Sequence, residues 1–224
     1  MNINPENCPI ISNEICQQYC NADRSLCMEV SHPQVLFSAL ERISTELRQK
    51  NYRASHDALT GLWNKYKWEE MADERIMDAK KTNKDIGLLF IDLTNLKKVN
   101  DTLGHTAGDN LLADFAELMT STLRESDIGR VGGDEFVILC DLSPHRDKTI
   151  SPQERLASVT SRLREKTKTF FEVRTEFSNL GVTAAIGESL WSPSMSLEEL
   201  IDQADVDMRA VKKIQHQQHD KYRS

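Results

Sequence analysis

Three carboxylates and a glycine pair carry the chemistry open to this sequence. In GRVGGDEFVIL, residues 129–139, Gly132 and Gly133 separate two apolar arms, and Asp134 and Glu135 follow at once. Upstream, Asp92 ends the apolar run DIGLLFIDL, residues 85–93. A carboxylate at the end of a buried strand is unfavourable unless paired or metal-bound, and ligands of α/β sheets gather at the carboxyl ends of strands. If the glycine hairpin pairs beside the 85–93 strand, the three carboxylates converge. Hard oxygen ligands of this kind suit Mg²⁺ or Mn²⁺ rather than zinc. Carboxylates around two such ions are a common means of in-line attack on phosphorus, and the glycines would let backbone approach a nucleotide closely. Each feature alone has a plainer explanation. Gly-Gly-Asp-Glu is usually a solvated turn, Asp92 suits the N-cap of a helix through LTNLKKVND, and Asn100 and Asp109 suit turn and cap positions.

The elements that must position these residues follow from periodicity. Residues 85–93 read as a strand buried on both faces. Residues 127–131 and 135–141 read as hairpin arms around Gly-Gly. GDNLLADFAELMTSTLR (108–124) has helical spacing, with Leu111, Leu112, Phe115 and Leu118 on one side. SPQERLASVTSRLREKT (151–167) opens with Ser, Pro and a Glu at the capping-box position, so it reads as a helix. GVTAAIGESL reads as a strand and SLEELIDQADVDMRAVKKI as a second capped helix. The order helix, strand, helix, hairpin, helix, strand, helix predicts a mixed sheet with helices packed on it. Before it, Leu36, Leu40, Ile43 and Leu47 form a heptad-like stripe in a predicted helix; this suits either a two-chain seam or packing on its own domain.

Bulk properties bound the rest. The chain has 224 residues and a net charge of −7, which argues against a nucleic-acid or anionic-membrane surface. No apolar run is long enough to span a bilayer, and MNINPENCPI lacks the features of a signal peptide. A cytoplasmic location is expected, with cysteines reduced or metal-bound.

Four ordered blocks resemble the GGDEF-domain diguanylate cyclases, which join two GTP molecules into cyclic di-GMP and release pyrophosphate: HDALTGLWNK (56–65), FIDLTNLKKVNDTLGHTAGDNLL (90–112), RVGGDEFVIL (130–139), and the closing pair VTAAIGES (182–189) and ADVDMRAVKK (204–213). The resemblance implies an α+β fold, an adenylyl-cyclase or polymerase-palm-like mixed sheet flanked by helices, over residues 55–224. A linker or dimerisation helix (32–54) and a cysteine-rich segment (1–31) would precede it as a helical extension. By the resemblance, Asp92, Asp134 and the Leu93 carbonyl hold two Mg²⁺ or Mn²⁺ ions per active site, with Glu135 a ligand or its close support. Asp134 is the candidate to take the 3′-hydroxyl proton. Asn100 and Asp109 would read guanine, whose adjacent N–H donors suit a carboxylate. Lys97 and Lys212 would contact phosphate, Gly132 and Gly133 the nucleotide. Each domain would hold one GTP, so a homodimer is implied. The competing expectation is a non-catalytic module that binds GTP or cyclic di-GMP as an effector.

The sequence departs from the family's pattern at Thr94, Leu96, Arg209 and His216, where Asp, Phe, Tyr and a phosphate-binding Arg are common. Arg124 and Asp127 form an Arg-x-x-Asp pair like the family's product-inhibition site, one residue nearer the signature than usual; a surface ion pair is the plain alternative. Cys8, Cys16, Cys20 and Cys27 crowd the first thirty residues. A zinc ion or iron–sulfur cluster, a redox-sensing thiol set, and a stripe of small buried residues all fit. Cys140, in a predicted strand, is expected in the core.

Overall fold

The structure is a computed structural model that describes residues 33–123, 127–143 and 149–221. The described residues divide between Ala54 and Ser55 into two units. In the first, α1 (Pro33–Ser55) is the expected helix, and Leu40, Ile43 and Leu47 of its stripe are exposed.

The second unit is built on five strands: β1 (Trp63–Asn64), β2 (Ile86–Leu93), β3 (Asp127–Arg130), β4 (Glu135–Asp141) and β5 (Ala184–Leu190). Their order is β1-β3-β4-β2-β5. β1 runs parallel to β3 and every other pair is antiparallel. The helices are α2 (Lys65–Thr82), α3 (Leu96–Leu103), α4 (His105–Thr122), α5 (Pro152–Glu172), the short α6 (Thr175–Ser178) and α7 (Leu197–Lys221). This is the expected mixed α+β sheet flanked by helices.

Strand alternation explains the two-sided core. In β2, Leu89 and Ile91 pack in one cluster with Phe115 of α4 and Leu163 and Phe170 of α5. Leu88 and Phe90 point the other way, into a cluster with Trp68 and Ile76 of α2 and Leu200 and Met208 of α7. Both faces are covered, so β2 is apolar but for Asp92, with every residue buried. Cys140 lies buried in β4.

Three local features place the site. Ser151 caps α5 with a reciprocal capping box to Glu154, as its sequence predicts. The N-cap of α3 is Asn95, held left-handed at φ 61°, with its side-chain Nδ2 donating to the Gly181 carbonyl at 2.7 Å; Asp92 therefore remains in β2 and caps nothing. Gly187 of β5 lies directly under α7. A Cβ there would overlap the Ala204 carbonyl and the Met208 amide, so helix and strand meet backbone to backbone. One turn beyond Met208, that close crossing brings Lys212 to the end of β2. Among the described residues, no helix is long and apolar enough to cross a membrane.

Candidate active site

The β2–β4 register fixes the first contact between distant acids. Asp92 lies directly opposite Glu135, so both side chains project from the same face. Asp134 precedes Glu135 at the hairpin tip, and its carbonyl accepts the Leu93 amide at 3.0 Å. That bond ties the hairpin to the end of β2. The two glycines differ in surroundings. A Cβ on Gly132 would overlap the Glu135 carboxylate, whereas one on Gly133 would meet nothing within 4 Å. Gly132 thus makes room for an acid of the site, and Gly133 faces open space.

Lys212 of α7 completes the cluster, its Nζ lying 2.7 Å from Asp92 Oδ1. The Asp92 side chain is only 8% exposed and Lys212 34% exposed, so the pair is largely out of water. One ammonium does not balance three carboxylates. Burial and then the negative charge of Asp92 push the Asp134 carboxyl above its usual range. Burial, followed by Asp134, Asp92 and Asp205, pushes Glu135 up as well. Asp205 lies on α7 and is held by Arg209 through two contacts, Nε to Oδ1 at 3.1 Å and Nη2 to Oδ2 at 2.6 Å. Arg209 therefore contacts an acid that borders the site.

Among the described residues, no three His, Cys, Asp or Glu side chains are already gathered as a metal site. The donor set nevertheless fits a hard divalent cation. It consists of carboxylate oxygens, two of its members carry unfavourable like-charge pressure, and a side-chain ammonium lies on the third. Thr94 adds no charge. It is buried, its hydroxyl lies 2.8 Å from that of Thr183, and Thr183 in turn meets Gln215 at 3.3 Å.

The two expected guanine readers lie on consecutive helices. Asn100 is half-buried on α3 and Asp109 exposed near the start of α4. Gly104, at φ 87°, makes the turn between them, and its amide donates to the Asn100 carbonyl at 3.0 Å. The Asn100 side-chain Oδ1 is buried without a hydrogen-bond donor. Lys97 is exposed on α3.

Sequence reasoning missed a second charged cluster behind the hairpin. Arg130 ends β3 and donates from Nη1 to Asp57 Oδ1 at 2.9 Å and from Nη2 to the Gly133 carbonyl at 2.7 Å. Asp57 Oδ1 also accepts the Thr60 amide at 2.9 Å and its hydroxyl at 2.7 Å. Burial alone would raise Asp57, but the bonds from Thr60 and Arg130 outweigh it and hold the carboxyl below its usual range. Both residues sit inside motif blocks, yet nothing local says that they meet. Asp127 is bound by Arg75 Nε of α2 at 3.0 Å. Arg124 and the cysteines at 8, 16, 20 and 27 lie outside the described residues.

Comparison with known proteins gives the family and the fold. The family model described as "Diguanylate cyclase, GGDEF domain" matches residues 54–218. The chain is 30% identical over 183 residues to the diguanylate cyclase DgcS of Shewanella oneidensis, covering 81% of this chain and 57% of that protein. It is 32% identical over 186 residues to the cyclic di-GMP phosphodiesterase NbdA of Pseudomonas aeruginosa, covering 82% of this chain but 22% of that one. The chain thus spans between about a fifth and somewhat over half of these two relatives. The coiled coil and GGDEF domain of DgcB from Caulobacter crescentus, solved with c-di-GMP, shares the fold. Its TM-score is 0.64 at 23% identity, over 85% of this chain and 95% of that one.

Proposed function

Because the chain belongs to the diguanylate cyclase GGDEF family, we propose that it condenses two GTP molecules into cyclic di-GMP and two pyrophosphates, as a homodimer. The observation that carries this reading is the meeting of Asp92, Asp134 and Glu135 at one end of the sheet, with Lys212 bonded to Asp92. That cluster suits a phosphoryl centre flanked by hard cations.

Enzymes of this family generally use Mg²⁺ or Mn²⁺. Asp92, Asp134, Glu135 and the Leu93 carbonyl would hold two such ions, which when bound lower the pKa of the attacking hydroxyl and screen phosphate charge. The chain's own residues do the rest. Asp134 takes the proton from the 3′-hydroxyl of one GTP. The freed oxygen attacks the α-phosphorus of the other GTP, the bond to the β-phosphate oxygen breaks, and pyrophosphate leaves. The same step with the roles exchanged closes the ring. Asn100 and Asp109 orient guanine, while Lys97 and Lys212 steady the triphosphate. Each domain offers one such site, so two copies must face each other. The exposed stripe of Leu40, Ile43 and Leu47 suits the helix that pairs them.

A second reading, a non-catalytic module that binds GTP or cyclic di-GMP, is favoured by the similarity to a protein named as a phosphodiesterase. Product analysis separates the two. Purified chain incubated with GTP and Mg²⁺ or Mn²⁺ yields cyclic di-GMP, and Asp134→Ala yields none. A dimeric, metal-loaded, GTP-binding sample that makes no product would leave only the module.

A further inference from the structure

Gly108 is the fourth residue of α4 and is buried. It packs against the side chain of Asn100 on the preceding helix. A Cβ at position 108 would come 3.0 Å from Asn100 Cγ and overlap its Oδ1, while Nδ2 lies farther away, at 3.5 Å. The three atoms nearest that Cβ all belong to Asn100, so the close obstruction is one amide. The same Oδ1 is buried and has no hydrogen-bond donor. A buried, unpaired amide oxygen is unfavourable by itself and would ordinarily turn to find a partner. It stays because the bare Cα of Gly108 leaves a slot of its size.

Backbone strain does not explain the glycine. The positive-φ glycines are Gly61, Gly104 and Gly181, so Gly108 has a φ that alanine also adopts. In a helix, alanine is the better residue. The slot for Asn100 is what remains to account for glycine here.

We infer that Gly108 is a positioning residue for base recognition: its missing side chain sets the orientation of the Asn100 amide, so one end is seated against α4 and the outer edge meets the guanine. This rests on the reading of Asn100 as a guanine reader. It ties both expected readers to one short segment, because Asp109, the other reader, follows Gly108 directly. An alanine at 108 turns the flexible end of Asn100 away and leaves the backbone where it is, since the overlap falls on side-chain atoms alone.

The test is a double-mutant cycle on the full chain, read by calorimetric affinity for a non-hydrolysable GTP analogue, with thermal midpoints alongside. Gly108→Ala and Asn100→Ala should each weaken binding by about tenfold. The double variant should bind no worse than Asn100→Ala alone, because the alanine at 108 then has nothing to displace. The midpoint of Gly108→Ala should equal or exceed that of the wild type. Wild-type affinity in Gly108→Ala overturns the inference, as does a double variant in which the two losses multiply. A Gly108→Ala protein that melts early and is not rescued by Asn100→Ala overturns it too, since the glycine would then serve packing alone. If Asn100→Ala binds the analogue like wild type, the guanine-reader assignment itself fails, and the positioning role goes with it.

Discussion

Asp57 and Asp134 flank the same hairpin and are treated in opposite ways. Burial pushes both carboxyls up, and in both it is the largest single influence. Asp57 then receives the Thr60 hydroxyl, the Thr60 amide and the Arg130 guanidinium, and ends below its usual range. Asp134 receives the repulsion of Asp92 instead. The charges of Lys212 and Arg130 and a backbone hydrogen bond only partly offset it, and Asp134 ends above its usual range. Arg130 serves both acids, but as a bonded partner to one and a distant charge to the other. The difference separates an acid that holds the fold from one kept short of partners, and an acid short of partners is ready for a proton or a cation. The hairpin joins them, because Arg130 grips the Gly133 carbonyl at the tip that carries Asp134.

Asp134→Asn breaks this contrast most severely. Synthesis of cyclic di-GMP should fall by about 10²–10⁴-fold, the range of a lost general base, while the metal-free protein should melt at a higher temperature because like-charge repulsion is relieved. An Asn variant that melts lower than the wild type would mean that Asp134 is held by partners after all. The mirror experiment is Asp57→Ala. It removes the carboxylate partner of Arg130, whose side chain is 12% exposed beside an Asp57 that is 26% exposed. A fully buried broken pair costs about 3–5 kcal/mol, so this partly exposed one should cost about 2 kcal/mol. A urea midpoint equal to wild type would show that the opening turn does not depend on the pair. Smaller still is the response to Mg²⁺. In Lys212→Met no ammonium lies on Asp92, so Mg²⁺ should raise the thermal midpoint by more than it does in the wild type. An equal rise would mean that Lys212 and the cation do not share that carboxylate.

The two clusters also differ in how far the sequence disclosed them. Asp134 and Glu135 are neighbours in the chain, and their strand could be read as an apolar hairpin arm after Gly-Gly. Asp92 was expected beside them only if the hairpin paired with β2, and that pairing is what occurs. The partnership of Lys212 with Asp92 spans 120 positions and depends on α7 crossing β5 at Gly187, a backbone contact with no periodic signature. Arg130 and Asp57 lie 73 positions apart and meet because β1 pairs in parallel with β3, yet β1 is two residues long, too short to leave a pattern. Helix α2 escaped notice for a related reason. Its buried face is Trp68, Ala72, Ile76 and Ala79, and alternate alanines give little hydrophobic contrast. The large apolar periods, the capped α5 and the signature hairpin were legible because their causes are local.

A pH series sets the two aspartates against each other. Both start from the same ordinary value of 3.8. The folded-state pKa of Asp134 lies above it, so the native state holds that proton more tightly than the unfolded chain does. Its ionised form therefore weakens the metal-free fold above the folded pKa, and the penalty shrinks as pH falls from there to 3.8. The folded-state pKa of Asp57 lies below 3.8. Its stabilisation is fully present above 3.8 and is lost only as pH falls through the depressed value. The thermal midpoint of Asp134→Asn minus wild type should thus be positive near neutrality and should close before pH 3.8 is reached. The difference for Asp57→Asn should be negative near neutrality and should close only below 3.8. If both differences close over the same interval, the two carboxyls do not sit in opposed environments, and the distinction between the structural acid and the reactive one fails.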